Sequence, residues 1–361
     1  MERDSQSESD LQQSSGTITL EATAAEPEDM LAPGEVVHQR YRIERLIGKG
    51  GMGEVYAAFD VAEGRRVALK TVQPERVSDK LVARFYQEYE LSRRISHPNV
   101  LQIYEVFELE RPGIEVSVPC MAMEFLDGET LLERLQRDQR LSEEEALPIV
   151  CQMASALAAS HGAGVVHRDL KPDNVFLLPR AGGGVRAVLT DFGVARQARS
   201  PVVQNASFEK TDSLTATNVI LGTPFYMAPE QLELETANTA TDIYTFGLVI
   251  YEMITGTLPF LRPSTLQTVF ARVREDPEPP SKRVPGLDPR WEATIMRCLE
   301  RDPSKRFTSA GEICAALQGR EQQPAASEPG QRERVPVTWI VLVFVVVLLL
   351  ALLVGWWTVP P

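Results

Sequence analysis

The chain has 361 residues, of which 43% are hydrophobic and 24% are charged, and its formal net charge is −13. That length suits one two-lobed domain with tails or two smaller domains, and the acidic balance argues against a general nucleic-acid-binding protein. The cysteines are widely spaced and form no C-x-x-C pair; they are Cys120, Cys151, Cys298 and Cys314. We therefore expect small buried thiols in a reducing compartment, and neither a disulfide framework nor a zinc site.

The N-terminus is acidic and polar. Residues 1–30 carry eight acidic side chains against one basic residue, Arg3, and are rich in Ser, Gln and Thr. Such a segment buries too little apolar surface to offset the entropy that ordering would cost. We expect residues 1–36 to be disordered, and the lack of an apolar stretch argues against a signal peptide.

The next region, 41–126, has the pattern of strands with one helix. Polar and apolar residues alternate over 41–72 around turn-forming residues, which predicts three strands. Two further strands are expected over 101–109 and 116–125. The spacing of apolar residues predicts a helix over 81–95 between them.

From residue 127 onward the pattern becomes helical. Ser142 and Glu145 have the spacing of a capping box, which predicts a helix that begins there and ends near His161. The strongly apolar stretch 241–255 predicts a central buried helix. Shorter helices fit 265–274, 290–300 and 309–317.

The C-terminus contains an uncharged stretch dominated by Val and Leu, 337–359. At about 1.5 Å per residue, a helix of this length is about 34 Å long, which is enough to cross a hydrocarbon layer of about 30 Å. Trp339 lies at one end and Trp356 and Trp357 at the other, as interfacial aromatic residues do. Basic residues precede the stretch, so the positive-inside rule predicts a single-pass cell-membrane protein with its main part in the cytoplasm. Residues 318–336 are expected to form a flexible linker.

A glycine-rich stretch runs from Gly48 to Val55 (GKGGMGEV). Its glycines would let backbone N–H groups approach phosphate oxygens. A dinucleotide-binding fold is an alternative, but that fold requires a helix directly after the glycines and an acidic residue about 20 residues further on. Here a strand is expected next, and a lysine, Lys70, stands 22 residues after Gly48.

The most informative stretch is 167–174, with the sequence HRDLKPDN. It places a proton acceptor, Asp169, five residues before a metal ligand, Asn174, with Lys171 between them, and these groups suit phosphoryl transfer. The motifs Val67-Ala-Leu-Lys70, Asp191-Phe-Gly193 and Ala228-Pro-Glu230 accompany it in the order that a protein kinase needs.

With these motifs, the chain resembles a eukaryotic-like (Hanks-type) bacterial Ser/Thr protein kinase over residues 41–317. The resemblance implies an α+β, bilobal protein-kinase fold with a small β-rich N-lobe, 41–126, which contains one helix, and a larger α-helical C-lobe, 127–317. We expect one C-terminal transmembrane helix in addition. The cofactors implied are ATP and Mg²⁺, with Mn²⁺ as an alternative metal.

The resemblance also assigns roles to individual residues. Asp169 would be the catalytic base, Lys171 would neutralise charge on the transferred group, and Lys70 would reach the α- and β-phosphates. Asn174 and Asp191 would hold Mg²⁺ through oxygen ligands. The expected nucleotide-binding residues are Ile47, Gly48, Lys49, Gly50, Gly51, Met52, Gly53, Glu54, Val55, Ala68, Lys70, Glu88, Met123, Glu124, Leu126 and Phe176.

Within this set, Lys70 needs an anionic partner. The resemblance selects Glu88, nine residues before the His of His97-Pro-Asn, and Glu90 is the alternative. Met123 would be the gatekeeper, and the backbone of Glu124 and Leu126 would bind the adenine. Val55 and Ala68 would lie above the adenine and Phe176, which is bulky for this position, below it.

Several further residues have expected roles around the site. His167 is expected to pack under Phe192, and Arg168 to bind a phosphate on the loop that follows. Thr215 and Thr217 are the favoured autophosphorylation sites. Thr223 would help to shape the substrate site, Glu230 and Arg306 would form a buried ion pair, and Asp242 would brace the catalytic loop.

The function expected is a membrane-tethered Ser/Thr protein kinase that acts on protein substrates and phosphorylates its own activation loop, with homodimers as one route to phosphorylation in trans. The alternative is a catalytically silent, kinase-like scaffold at the membrane. A small-molecule kinase of similar fold is disfavoured, because the Ala228-Pro-Glu segment and the long loop before it build a platform for protein substrates. No nucleic-acid partner is expected.

Overall fold

The computed structural model of the chain describes residues 29–50, 53–111, 116–192, 224–232 and 237–320. The described chain forms two compact units. The first contains the residues up to 89 together with 102–126, and the second contains 90–101 together with the residues from 127 onward.

The first unit is built on a six-stranded antiparallel sheet with the strand order β1-β2-β3-β4-β6-β5. Its strands are β1 (Val36–Val37), β2 (Tyr41–Lys49), β3 (Gly53–Asp60), β4 (Arg65–Val72), β5 (Ile103–Leu109) and β6 (Val118–Glu124). Helix α1 (Asp79–Ser92) follows β4 and ends three residues earlier than the helix predicted over 81–95. The apolar face of the sheet forms a core of its own, with Tyr41, Tyr56, Leu69 and Met121 fully buried.

The N-terminal arm, residues 29–37, belongs to this unit. Leu31 is fully buried, and its N–H donates to the Tyr56 hydroxyl at 3.1 Å. The Met30 N–H donates to the carboxylate of Glu54 at 3.0 Å, and β1 pairs with β2. The expectation of disorder over 1–36 is therefore wrong for 29–36, because one buried leucine and a short strand offset the ordering cost that the acidic composition suggested.

The second unit is mainly helical, as the pattern after residue 127 predicted. Its helices are α2 (Leu131–Asp138), α3 (Glu143–Gly162), α4 (Pro229–Leu232), α5 (Thr239–Thr255), α6 (Thr265–Arg274), α7 (Pro289–Cys298) and α8 (Ala310–Leu317). A three-stranded sheet accompanies them, formed by β7 (Glu129–Thr130), β8 (Val175–Pro179) and β9 (Val185–Leu189). The predicted central helix is confirmed as α5, which is buried along nearly its whole length, and the predicted capping box of Ser142 and Glu145 opens α3.

Two of the cysteines form a disulfide, which corrects the expectation of unpaired thiols. Cys151 on α3 and Cys314 on α8 are bonded, with their Cα atoms 4.9 Å apart. They are separated by 163 residues, so their proximity comes from the packing of two helices and leaves no spacing signal in the sequence. Cys120 and Cys298 are buried free thiols, as predicted.

Several expectations lie outside the described residues. These are the segment 1–28, the segment 337–359 and most of the expected linker, 321–336. Within the described ranges, no helix combines the length and apolar character needed to cross a bilayer. Residues 318–320 are described and finish α8 through backbone hydrogen bonds to its last turn, so the linker was predicted to begin too early.

Candidate active site

The first unit carries the glycine-rich stretch at the tip of the β2–β3 hairpin. The Gly50 N–H donates to the Gly53 carbonyl at 2.9 Å, and the Gly53 N–H donates back at 3.3 Å. Gly51 and Met52, between them, lie outside the described residues. Gly53 has to be glycine, because a Cβ there would lie 1.6 Å from the carbonyl oxygen of Thr71. Gly50 and Gly53, the described ends of the turn, carry no side chains, which suits an approach to phosphate.

Two charged side chains next to the turn, Lys49 and Glu54, contact the N-terminal arm. The Lys49 ammonium lies 2.9 Å from Glu54 and 3.5 Å from Asp29. Burial by itself raises the pKa of Glu54, but hydrogen bonds from Tyr56, Lys49 and the Met30 N–H outweigh burial and lower the pKa below its ordinary value. The side chains of Lys49 and Glu54 are therefore engaged with each other and with the arm, and it is the backbone at these positions that a nucleotide would meet.

Lys70 on β4 pairs with Glu88 on α1. The ammonium lies 2.9 Å and 3.3 Å from the two carboxylate oxygens, and both side chains are about one-fifth exposed. The alternative partner, Glu90, instead lies 3.9 Å from Arg93 and is mostly exposed. The pair fixes a cation on the sheet, where it can meet an anionic group.

The expected adenine-binding residues of this unit lie on β4 and β6 and just beyond. Ala68 is buried and stands opposite Met123 in the β4–β6 register. The Glu124 N–H donates to the Gln102 carbonyl at 2.8 Å, so a ligand would meet the carbonyl of Glu124 and not its N–H. The other expected residues of this unit are exposed or half-buried; they are Ile47, Gly48, Val55 and Leu126.

The second unit brings the expected catalytic residues together in the loop before β8. The Lys171 ammonium lies 3.5 Å from Asp169 Oδ2. The Asn174 side-chain NH₂ donates to the Asp169 carbonyl at 2.8 Å and lies 3.4 Å from the Asp169 carboxylate. Asp169 is 26% exposed, so this carboxylate is positioned by its neighbours and still open to a substrate.

A buried carboxylate braces this loop from below. Asp242 on α5 is fully buried and accepts hydrogen bonds from the backbone N–H groups of His167 at 2.7 Å and Arg168 at 2.8 Å. The Nε2 of His161 lies 2.8 Å from the same carboxylate. Arg168 has φ +66°, which is uncommon for a residue other than glycine, so these bonds hold an unfavourable backbone. Asp242 is the bracing residue that the family resemblance implied, whereas no motif in the sequence marks His161 as its partner.

The two expected metal ligands lie at one end of the β8–β9 hairpin. Asn174 directly precedes β8 and Asp191 follows β9 by two residues, while Val175 and Leu189 are register partners. The Thr190 N–H donates to the Asn174 carbonyl at 2.9 Å, which ties the two strand ends together. Asp191 is exposed and has φ +53°.

The donor set fits a magnesium ion that keeps much of its own hydration. The side-chain NH₂ of Asn174 is used by Asp169, which leaves the amide oxygen of Asn174 as the atom for a hard cation. No group of three or more His, Cys, Asp or Glu side chains in the described ranges could hold a metal ion. Mg²⁺ in nucleotide sites needs only one or two protein oxygens together with phosphate and water, so Asn174 and Asp191 suffice.

His167 packs against Phe192, as expected. His167 is fully buried, and its ring centroid lies 4.6 Å from that of Phe192. Burial lowers the pKa of His167, and nearby carboxylates oppose that shift in part, which favours a neutral packing residue. Phe176 is half-buried on β8 opposite Val188.

A buried ion pair supports the larger unit. Arg306 donates to both carboxylate oxygens of Glu230, at 2.7 Å and 3.0 Å, and both side chains are almost fully buried. Burial by itself raises the pKa of Glu230, but hydrogen bonds from Arg306, the backbone and Thr241, together with the Arg306 charge, outweigh burial and lower the pKa below its ordinary value. The expected phosphorylation sites Thr215 and Thr217, and also Thr223, lie outside the described residues.

The comparisons with known proteins agree with this arrangement. Residues 41–318 match the family model described as "Protein kinase domain". The chain belongs to the protein kinase family. It is 34% identical over 293 residues to the serine/threonine-protein kinase pkn3 of Myxococcus xanthus. The aligned residues make up 80% of this chain and 51% of that relative. It is 35% identical over 297 residues to a probable serine/threonine-protein kinase PknB of Corynebacterium glutamicum, with coverages of 81% and 44%.

Among solved structures, the kinase domain of Mycobacterium tuberculosis PknI is similar, with a TM-score of 0.59 and 27% identity over 80% of this chain and 99% of that domain. The bilobal kinase fold expected from the motifs is thus confirmed. The chain spans about half the length of the curated relatives it matches.

Proposed function

We propose that this protein is a Ser/Thr protein kinase that transfers the γ-phosphate of ATP to hydroxyl groups of proteins. The observation that carries the proposal is the catalytic loop, in which Asp169, Lys171 and Asn174 contact one another over a backbone braced by Asp242. The two relatives from Myxococcus xanthus and Corynebacterium glutamicum are described as a serine/threonine-protein kinase and a probable one, which supports a hydroxyl of Ser or Thr as the acceptor.

In the proposed reaction, Asp169 accepts the proton of the substrate hydroxyl while that oxygen attacks the γ-phosphorus. The bond from the γ-phosphorus to the bridging oxygen breaks, and ADP leaves with the electron pair. The Lys171 ammonium, 3.5 Å from Asp169, neutralises charge on the group in transfer. Asn174 and Asp191 would hold Mg²⁺, which when bound reduces the charge repulsion between the phosphate oxygens and the attacking oxygen.

The first unit would contribute the phosphate-binding groups. Lys70, held by Glu88, would supply a fixed positive charge for the α- and β-phosphates, and the small glycines at the two ends of the turn, Gly50 and Gly53, would let a phosphate approach the backbone. Because the Lys70–Glu88 pair is in place before a ligand binds, less entropy is lost when the nucleotide is oriented.

A phosphotransfer assay with radiolabelled ATP, Mg²⁺ and a generic acceptor protein tests the proposal. The Asp169→Asn variant should lose about 10²- to 10⁴-fold in rate, as expected for the loss of a general base. Asp288→Asn is the matched control, because Asp288 caps α7 away from the loop and asparagine caps equally well. A wild-type protein that binds ATP in a thermal-shift experiment but transfers no phosphate with Mg²⁺ or Mn²⁺ would favour the catalytically silent scaffold.

We further propose that the protein phosphorylates its own activation loop, with Thr215 and Thr217 as acceptors. Arg168 supports this, since its Nε is buried and has no hydrogen-bond partner among the described residues, as a group that awaits a phosphate would be. Mass spectrometry before and after ATP would locate the modified residues. Labelling of the inactive Asp169→Asn protein by the wild type would support a homodimer that acts in trans, whereas wild-type modification that is independent of protein concentration would favour reaction within one chain.

The apolar stretch 337–359 carries the last part of the proposal, a membrane anchor that leaves the kinase domain in the cytoplasm. Its length and its flanking tryptophans support a single span. Deletion of residues 335–361 should move the protein from the membrane fraction to the soluble fraction. If the shortened protein stayed with the membranes, the anchor assignment would be wrong.

A further inference from the structure

Helices α3 and α8 are joined by a covalent bond that the kinase reaction does not use. Cys151 lies in the middle of α3, and Cys314 lies in α8, the last helix of the second unit. Their Cα atoms are 4.9 Å apart, within the range that a disulfide bridges without backbone movement. The bond closes a loop of 163 residues, so it constrains the unfolded chain strongly.

A disulfide is unexpected in a protein that consumes ATP. This step rests on the proposed function: ATP is held inside cells, and there thiol reductants keep most cysteines reduced. Disulfides that form in such compartments are usually transient and sense the redox state. We propose that Cys151 and Cys314 are a reversible dithiol–disulfide site that takes a thiol as its reductant and the corresponding disulfide as its oxidant.

Access to the sulfur atoms separates this pair from the other cysteines. Cys151 and Cys314 are half-buried, whereas Cys120 and Cys298 are fully buried and burial raises the pKa of both thiols. The side-chain NH₂ of Gln318 lies 3.7 Å from Cys151 Sγ. Gln318 also lines an open cavity of about 450 Å³ between α3, α7 and α8. A thiol from solvent therefore reaches the half-buried bridge more readily than it reaches Cys120 or Cys298.

The exchange is balanced without a further reactant. A thiolate attacks one sulfur of the bridge, forms a mixed disulfide and releases the other cysteine as a thiolate. A second thiolate attacks the mixed disulfide and releases the first cysteine. Two thiols are oxidised to one disulfide while the protein disulfide is reduced to two thiols, and the reverse sequence re-forms the bridge.

The packing around the bridge predicts what reduction changes. On α8, Ala310, Ile313 and Leu317 are buried, so the helix stays packed without the bond. Gln152, next to Cys151, holds α3 to β9 by accepting from the Ala187 N–H at 3.1 Å and donating to the Val185 carbonyl at 3.1 Å. The helix that leads to the catalytic loop is therefore anchored independently of the bridge, and reduction should lower stability and leave catalysis nearly unchanged.

The test uses the full chain in its oxidised form, treated with diamide, and after exposure to reduced glutathione or to thioredoxin with its reductase. Maleimide labelling under native conditions, read by mass spectrometry, should add no label to the oxidised protein and label Cys151 and Cys314 after reduction. Reduction should lower the Tm by about 5 to 10 °C, given the length of the closed loop and the size of the domain. The phosphotransfer rate should stay within about twofold, because the catalytic loop keeps its contacts.

Matched variants separate the bridge from general effects of reductant. The Cys151→Ser/Cys314→Ser double variant should have the Tm of the reduced wild type in both conditions. The Cys120→Ala variant should keep the full Tm difference between the two forms. Reduction by glutathione, by thioredoxin or by both supports the site and identifies its reductant.

The proposal is overturned if diamide-treated protein labels at both cysteines, if neither thiol source reduces the native bridge, or if the double variant shows the same Tm shift as the wild type. The maleimide labelling and the Tm, which decide these outcomes, do not require phosphate transfer. A protein that failed the kinase assay but passed these tests would refute the proposed function and keep the redox site.

Discussion

Asp242 offers the most direct test of how the fold holds the catalytic loop. Asp242→Asn exchanges one accepting oxygen for an NH₂ group, which would face backbone donors. One oxygen accepts from the Arg168 N–H, and the other accepts from the His167 N–H and lies within hydrogen-bond distance of His161. A hydrogen bond to a charged group contributes about 1.5–3 kcal/mol, and a buried donor left unpaired costs about 1–3 kcal/mol. We therefore expect a loss of about 3 kcal/mol in the free energy of unfolding.

In a domain of this size that loss lowers the Tm by about 6 to 12 °C. The catalytic rate should also fall by about 10-fold or more, because Arg168, with φ +66°, loses the bonds that offset its backbone strain. Differential scanning fluorimetry and the phosphotransfer assay measure the two effects. The KM for ATP should change little, since the Lys70–Glu88 pair belongs to the other unit.

Two further variants calibrate this result. His161→Ala removes only the third contact to Asp242 and should cost about 1 kcal/mol. Asp288→Asn changes the same chemical group at a partly exposed helix cap and should leave the Tm within about 1 °C. If Asp242→Asn matched Asp288→Asn in both Tm and rate, the bracing role of the buried carboxylate would be refuted.

Further expectations concern the nucleotide-binding groups and the buried ion pair. Glu88→Gln should lower kcat/KM for ATP about 10-fold by weakening the hold on Lys70, and an unchanged value in steady-state kinetics would contradict the role of the pair. Gly53→Ala should destabilise the first unit and raise the KM for ATP, because the added Cβ would lie 1.6 Å from the Thr71 carbonyl oxygen. Gly64→Ala is the control: Gly64 lies at an open turn with φ +66°, so this variant should lower stability and leave the KM unchanged. The pKa of Glu230 is lowered from 4.5 in the folded protein, so its stabilising contribution is present above pH 4.5 and is lost as the pH falls through the folded value. The Tm of the wild type should therefore fall more steeply than that of Glu230→Gln below pH 4.5, and parallel curves there would argue against the shift.

The catalytic loop could be predicted from the sequence because its chemistry is local. Asp169, Lys171 and Asn174 lie within six positions of one another, so a loop of any ordinary geometry brings them close. The choice of Glu88 over Glu90 needed the family resemblance, since both lie on the same predicted helix. The structure pairs Lys70 with Glu88.

Contacts between distant segments left little signal. The disulfide depends on how α3 and α8 pack, and the spacing of the cysteines in the sequence does not indicate that packing. The order of the N-terminal arm was not predicted, because the composition of a segment is an average over all its residues. A single buried leucine, Leu31, changes that average too little to stand out among acidic residues. Helix α2 was not predicted individually although Thr130 and Glu133 form a capping box, because the helix is short and its apolar positions are few.

The arm also changes where this kinase domain starts. The family match begins at Tyr41, and a shortened protein cut at that residue would lack Leu31, whose burial contributes about 1.5–3 kcal/mol. It would also lose the Met30 N–H that binds Glu54, beside the glycine turn. A boundary chosen from motifs alone would thus remove part of the nucleotide-binding lobe, and expression of an active fragment should require the chain from Asp29 onward.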